Sequence, residues 1–421
     1  SGIWIECKND KCKKKANLKG IFNFEKKCDG KKYWLGQHNG KFHEEECGIT
    51  MQPSISVKLK TSNSVYYANT LSSLFIPEFQ INLPFAHRER VERFKTKGKT
   101  NEEIIEKLFE DDDVPKDLTR AYLEMDGTGY IPEIVFRQTE YDYFLEKDQP
   151  DNKQIKFSVV DCAKEINGFS KLVKIDKLKK TTVQTSFTRN EPIDLDSILQ
   201  DQNEYAKNYN VQRQSVSKNN FDSKTLPALE SYGEGILFIL DKSKLEQWEK
   251  QQAVIERTEK IKSNAENADW KSHQIIAKTL TPRKVLIHTL SHLLMRELEY
   301  VCGYPSSSLS ERLYVSETMQ GFLISAFDGT DGYLGGLSNL ASENNLEELS
   351  KIIKSAILRA TDCSSDPICI ESEGQGVGQL NLAACHSCTL TPETACELSN
   401  LYLDRNLVIH NEFGYFKTMI E

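Results

Sequence analysis

The sequence predicts an α+β protein of several domains, and three observations carry that expectation. Its 421 residues exceed a single ordinary domain of about 100–200 residues. Stretches with helical spacing of apolar residues and stretches with strand-like alternation both occur along the chain. Nine of the 11 cysteines gather in two clusters at opposite ends of the chain. The expected layout has four parts: 1–82, a zinc-ribbon-like module and β segment; 83–150, a helical insert; 151–260, a β-rich middle segment with a mobile loop at 197–224; and 261–421, a mixed α/β domain with a second cysteine zinc site.

Residues 1–50 carry eleven lysines against seven acids and are broken by Gly20, Gly30, Gly36, Gly40 and Gly48, so short strands such as Gly20–Phe24 and Tyr33–Leu35 fit between turns. So small a segment has little core of its own and needs a staple. Ser54–Ile81 reads as mixed strand and loop, with Pro77 as a breaker. Ile104, Ile105, Leu108 and Phe109 then fall at helical spacing, and the acidic run Glu110–Asp113 before Pro115 closes that helix. Phe157–Val160 and Leu172–Phe187 return to strand character, and the polar stretch 197–224, rich in Asn, Gln and Ser, reads as a linker. Gly235–Leu240 is a buried strand, followed by a charged helix at Lys242–Lys260. Pro282 opens a helix whose apolar face runs from Val285 to Val301, and Gly303 stops it. Leu313–Tyr314 and Phe322–Phe327 are strands, and Leu346–Ala360 is a further amphipathic helix.

Composition narrows the class of function. With 38% hydrophobic and 28% charged residues, bulk disorder, collagen and a small disulfide scaffold are excluded. No apolar run approaches the ~20 residues of a membrane helix, and Ser1–Cys12 is polar and basic rather than a secretory leader. A net charge of −8 argues against a protein coated with nucleic acid, while leaving room for one basic groove. An odd cysteine count without a leader points to the reducing cytoplasm, where clustered cysteines more often bind metal than pair as disulfides.

The C-terminal cluster holds Cys363, Cys369, Cys385, Cys388 and Cys396. Cys385 and Cys388 form a C-x-x-C, a spacing that lets two thiolates of one tight turn reach a single tetrahedral ion. Zinc takes four ligands, so one cysteine is spare; Cys363, Cys369, Cys385 and Cys388 are the favoured set. At the other end, Cys7, Cys12, Cys28 and Cys47 are less regularly spaced but sit in a segment without another source of stability, which suggests a second structural zinc knot. Isolated Cys162 and Cys302 read as small hydrophobes.

His288 and His292 lie at i, i+4 on the 283–301 helix, but Thr289 stands where the H-E-x-x-H zinc-protease pattern places its glutamate. Histidines hydrogen-bonded within a packed helix are therefore preferred over a metal site. The loop Asp328-Gly-Thr-Asp-Gly-Tyr-Leu-Gly-Gly336 lacks the Gly-Lys-Ser/Thr of a phosphate-binding loop and reads as a tight turn. Lys171, Lys174, Lys177, Lys179, Lys180 and Arg189 concentrate positive charge within nineteen residues and are the best internal candidates for phosphate contact, ahead of the lysine-rich first segment with Trp4, Tyr33 and Trp34.

Several stretches together resemble the DrmB family of the DISARM anti-phage defence system. They are Arg283-Lys-Val-Leu-Ile-His-Thr-Leu-Ser-His-Leu-Leu294, Asp331-Gly-Tyr-Leu-Gly-Gly-Leu337, Cys363-Ser-Ser-Asp-Pro-Ile-Cys369, Asn381-Leu-Ala-Ala-Cys-His-Ser-Cys388 and Pro392-Glu-Thr-Ala-Cys-Glu397. Thr185-Ser-Phe-Thr-Arg189, Gly233-Glu-Gly-Ile236 and Ser62-Asn-Ser-Val-Tyr66 add to the likeness, which runs discontinuously from about Cys7 to Arg405 and is thinnest at 84–150 and 197–224. The C-terminal part also resembles the cysteine-containing domain that trails some superfamily 2 DNA helicases. The resemblance implies a cytoplasmic, non-catalytic subunit that joins a DrmA-like superfamily 2 helicase, touches DNA through that complex, and works beside a methyltransferase that marks self. It also implies that sequence precedes the first cysteine pair. Two other readings stand beside it: a metal-dependent nuclease or hydrolase centred on His288, His292 and Asp331, and a free-standing zinc-ribbon nucleic-acid module.

Overall fold

A computed structural model describes residues 67–76, 85–112, 114, 116–124, 133–145, 154–188, 226–267, 277, 279–305, 308–328 and 336–420, with short strands before residue 56. Those short strands form three antiparallel pairs: β1 (Trp4–Glu6) with β2 (Lys15–Asn17), β3 (Phe24–Glu25) with β6 (Ser54–Ile55), and β4 (Gln37–His38) with β5 (Lys41–Phe42). The chain divides into two compact units, residues 1–71 with 183–228, and residues 72–182 with 229–421. The mobile loop expected at 197–224 lies outside the described residues.

A six-stranded sheet organises the rest. It contains β7 (Tyr67–Leu74), β8 (Lys156–Asp161), β9 (Phe169–Thr188), β10 (Ala228–Leu240), β11 (Leu309–Val315) and β12 (Gln320–Asp328), in the order β11-β12-β10-β9-β7 with β8 paired to β9. The boundary expected at 260/261 thus falls between strands of one sheet. Strand alternation sorts the side chains: Ile236, Phe238 and Leu240 enter the larger core, whereas Leu237 and Ile239 enter the smaller one. Gly235 lets β10 approach β12, since a Cβ there would sit 2.7 Å from the Ile324 carbonyl oxygen.

The first four helices are α1 (Phe85–Thr96), α2 (Asn101–Asp112), α3 (Lys116–Glu124) and α4 (Glu133–Leu145). Thr100 and Glu103 close a reciprocal capping box ahead of α2, the Thr100 amide donating to Glu103 Oε2 (2.9 Å) and the Glu103 amide to Thr100 Oγ1 (3.3 Å). Val91, Ile104, Ile105, Leu108, Val114 and Leu123 bury one another in a small core of their own. The helix α4 departs from this insert: Tyr141 and Phe144 join the smaller core on the sheet. The opposite sheet face carries the larger core, to which α5 (Lys242–Trp248), α6 (Gln252–Glu266), α7 (Pro282–Cys302), α8 (Gly336–Leu340) and α9 (Leu346–Arg359) contribute, as do α10 (Asn406–Ile409) and α11 (Lys417–Ile420).

The helix α7 has the ends that its sequence dictates. Thr281 caps it by accepting from the Lys284 amide, Pro282 occupies its first turn, and Gly303 ends it in the left-handed region at φ 71°. Its apolar surface is wide because helix α9 covers one flank and β11 and β12 another; even His288, Thr289, Ser291 and His292 are fully buried. No helix among the described residues is long and apolar enough to cross a membrane.

Candidate metal centres

Four cysteines meet just after α9. The turn that follows Cys385 is tight: the amides of Cys388, Thr389 and Leu390 all donate to the Cys385 carbonyl. This aims both thiols of the C-x-x-C to one side. A second turn, in which the Asp366 amide donates to the Cys363 carbonyl (2.9 Å) and the Cys369 amide to the Ser365 carbonyl (3.0 Å), presents Cys363 and Cys369 from the other side. The Sγ atoms of Cys363 and Cys385 are 3.4 Å apart, those of Cys369 and Cys388 3.8 Å, and those of Cys385 and Cys388 3.7 Å. Zinc–sulfur bonds of ~2.3 Å at tetrahedral angles place sulfurs about 3.8 Å from one another. The donor set fits zinc in type, number and spacing.

The surroundings suit thiolates. Cys363 Sγ accepts from the Ser365 amide (3.4 Å), Cys369 Sγ from Gln375 Nε2 (3.4 Å), and Cys388 Sγ from the Cys385 amide (3.3 Å) and Thr389 Oγ1 (3.2 Å). Arg405 is fully buried behind them, donating to the Ala360 carbonyl and the Asp366 carboxylate, and its charge offsets the negative thiolates. Burial pushes the Cys385 thiol up, but the hydrogen bond from Cys363 and the amides of Cys388 and Ser387 outweigh it and bring it down to about 6. Burial raises the Cys369 and Cys388 thiols.

Cys396 does not join this group. It lies with His288, His292 and Glu311 in a second cluster whose four donor atoms are all within 4.8 Å of one another. The i, i+4 spacing on α7 puts both imidazoles on one side, with ring centroids 4.5 Å apart. Facing them, β11 offers Glu311 and the turn after Pro392 offers Cys396. His288 Nε2 is 3.2 Å from Cys396 Sγ and 3.2 Å from Glu311 Oε1, and His292 Nε2 is 3.5 Å from the same carboxylate oxygen. Opposing effects act on the acid: burial raises its pKa, but the two histidines prevail and hold it well below the usual carboxylate range. The two histidines of this packed helix thus meet partners from outside it, a strand carboxylate and a loop thiol. Spacing within α7 could not reveal those partners, which come from another strand and from the C-terminal turn.

The remaining candidates are placed as follows. Cys7, Cys12, Cys28, Cys47, Asp331 and Arg189 lie outside the described residues. The lysines of β9 do not form one patch. Residues 157 and 156 of β8 pair with Ile175 and Lys177, so Asp176 bulges out and reverses the strand's alternation. Lys174, Lys177 and Lys179 therefore share one face and Lys171 and Lys180 the other. Lys174 pairs with Asp176 (2.8 Å), Lys179 with Glu230 (2.7 Å), and Lys177 lies 5.6 Å from the Tyr232 ring. Lys180 lies 3.8 Å from the Phe327 ring; burial and the neighbouring Arg312 pull its pKa down to about 8.

The Gly233-Glu-Gly stretch supplies a buried carboxylate that is not apparent from sequence. Glu234 accepts from Tyr304 Oη (2.6 Å) and from the amides of Leu337 (3.0 Å) and Ser338 (3.3 Å), anchoring the start of α8 where the glycine-rich loop ends.

Comparison with known proteins agrees with this geometry. Residues 290–389 match the family model of the MrfA Zn-binding domain. The chain is also similar to the DISARM protein DrmB of Bacillus paralicheniformis, with 28% identity over 97% of this chain and 72% of that protein. The chain thus carries a zinc-binding region and two candidate metal sites, and it resembles a DISARM protein along nearly its whole length.

Proposed function

We propose that this chain is a non-catalytic subunit of a bacterial anti-phage defence complex, which binds a superfamily 2 DNA helicase and helps to form that partner's DNA path. The observation that carries the reading is the likeness to DrmB over 97% of the chain. A similarity of that extent covers both units, the helical insert and the cysteine cluster together rather than one transferable module. The cysteine cluster supports a bracing role. With four thiolate ligands a zinc ion has no open position for substrate, so it would stabilise loops rather than perform chemistry. Cys363, Cys369, Cys385 and Cys388 would hold it, fixing the two turns against α9 and Arg405.

The catalytic alternative based on His288 and His292 has less support. Both rings and Glu311 have no solvent exposure, and a hydrolytic centre needs a position open to water. An acidic chain also fits a partner subunit better than an autonomous nucleic-acid binder.

Purification of the full chain from its native operon, with mass identification of whatever accompanies it, tests the proposal. A co-purifying ATPase with helicase motifs is the expected result, and a solitary chain without an ATPase companion overturns it. In the complex, neutralising Lys177 and Lys179, which share one face of β9, should weaken DNA binding. It should also flatten the salt dependence by ~0.9 in log–log slope for each phosphate no longer neutralised. An unchanged slope removes these lysines from the interface.

A further inference from the structure

We propose that His288, His292, Glu311 and Cys396 form a second closed metal site, distinct from the four-cysteine cluster, and that it takes a divalent zinc ion. The distances fit such an ion. Bonds of ~2.0–2.1 Å to nitrogen or oxygen and ~2.3 Å to sulfur, at tetrahedral angles, place nitrogen and oxygen donors about 3.3 Å apart and nitrogen and sulfur about 3.6 Å apart. The observed separations are 3.2 and 3.5 Å for nitrogen to oxygen and 3.2 Å for nitrogen to sulfur.

The orientation of His292, Glu311 and Cys396 is set from behind. His292 Nδ1 lies 3.2 Å from the Thr389 carbonyl, which fixes a proton on Nδ1 and turns the lone pair of Nε2 into the cluster. That Nε2 atom is buried and has no hydrogen-bond partner of its own. Glu311 accepts from Ser291 Oγ on one oxygen and from the Glu397 amide (3.0 Å) on the other. Cys396 Sγ accepts from the amides of Leu398 (3.3 Å) and Asn400 (3.1 Å), the pattern expected around a thiolate.

Charge decides between an ion and a bare polar cluster. Two neutral imidazoles, one carboxylate and one thiolate leave two negative charges inside the core. A divalent cation cancels both, whereas without one the cluster must protonate or bear a desolvation cost of several kcal/mol per ion. A mixed set of two nitrogens, one oxygen and one sulfur suits zinc better than calcium or magnesium, which prefer oxygen alone, or copper(I), which prefers sulfur. All four positions are protein donors, so the site is structural. It would pin α7 to β11 and to the C-terminal turn.

Anomalous scattering at the zinc edge from crystals of the full wild-type chain locates the ion without any variant. The expected map has one peak among the four cysteines and another bounded by His288, His292, Glu311 and Cys396. A peak at the cysteines with none at the second cluster overturns the proposal. Metal analysis of the variants Cys396→Ser and His292→Ala gives a second reading. Each should lose about one zinc per chain relative to wild type while the four-cysteine set keeps its ion. Unchanged zinc content in folded variants would also overturn it.

Discussion

The buried pair between β11 and α4 yields the sharpest stability prediction. Arg312 is 4% exposed and Glu140 1%. The guanidinium grips the carboxylate with both arms, Nε to Oε2 at 2.6 Å and Nη2 to Oε1 at 2.7 Å, and its remaining nitrogen reaches Ser72 Oγ at 3.0 Å. The carboxylate also accepts from the Leu74 amide (3.1 Å) and Tyr314 Oη (3.1 Å). Arg312→Met leaves that carboxylate buried without its cation, a loss of about 3–5 kcal/mol. At ~2 °C per kcal/mol for a unit of this size, the melting temperature should fall by about 6–10 °C. The double variant Arg312→Met with Glu140→Gln removes both charges; the amide oxygen can accept from the Leu74 amide while the amide NH2 donates to Tyr314 Oη. It should recover to within about 1–2 kcal/mol of wild type. Thermal unfolding of the full chain, followed by near-UV circular dichroism, measures all three proteins. The reasoning fails if the single variant costs under ~1 kcal/mol, or if the double variant is no more stable than the single.

Further outcomes follow from other contacts. Gly235→Ala places a methyl 2.7 Å from the Ile324 carbonyl oxygen and should destabilise the sheet by about 1–3 kcal/mol in denaturant melts. Glu234→Ala strips the acceptor from Tyr304, Leu337 and Ser338; a loss of about 2–3 kcal/mol and faster hydrogen exchange at residues 336–340 are expected. Lys180 has its pKa lowered from 10.5 to about 8, so between those values the unfolded chain holds more protons and stability rises with pH, the penalty being fully present below about 8. Lys180→Met should therefore be more stable than wild type at pH 7 and show no such rise in melts at pH 7, 9 and 10. Stripping zinc with a chelator should render Cys363, Cys369, Cys385 and Cys388 reactive to alkylation read by mass spectrometry, while Cys162, buried in the larger core, stays protected.

Local rules made some of this molecule readable. Pro282 and Gly303 mark the two ends of α7 because a fixed φ suits the first turn and glycine enters the left-handed region without a Cβ penalty. The C-x-x-C was equally legible, since a three-residue turn brings its sulfurs together whatever surrounds it. Cys396 was harder to assign. Five cysteines for four zinc positions leave one spare without saying where it goes, and the chain between Thr389 and Cys396 carries this one to α7. Glu311 gave no signal, being one acid in a seven-residue strand whose neighbours alternate between two cores. The lysines of β9 illustrate the opposite error: they look like a single charged run, but strand alternation divides them between two faces and the bulge at Asp176 resets which of them fall together. The departure of α4 from the insert is likewise a tertiary choice, made by Tyr141 and Phe144 meeting the sheet.

Thr389 stands between the two candidate centres. Its hydroxyl leans on the sulfur of Cys388, and its carbonyl receives the ring of His292. The peptide unit of Thr389 is thus common to two sets of donors of dissimilar chemistry, and any coupling it carries between their affinities acts with the same factor in both directions.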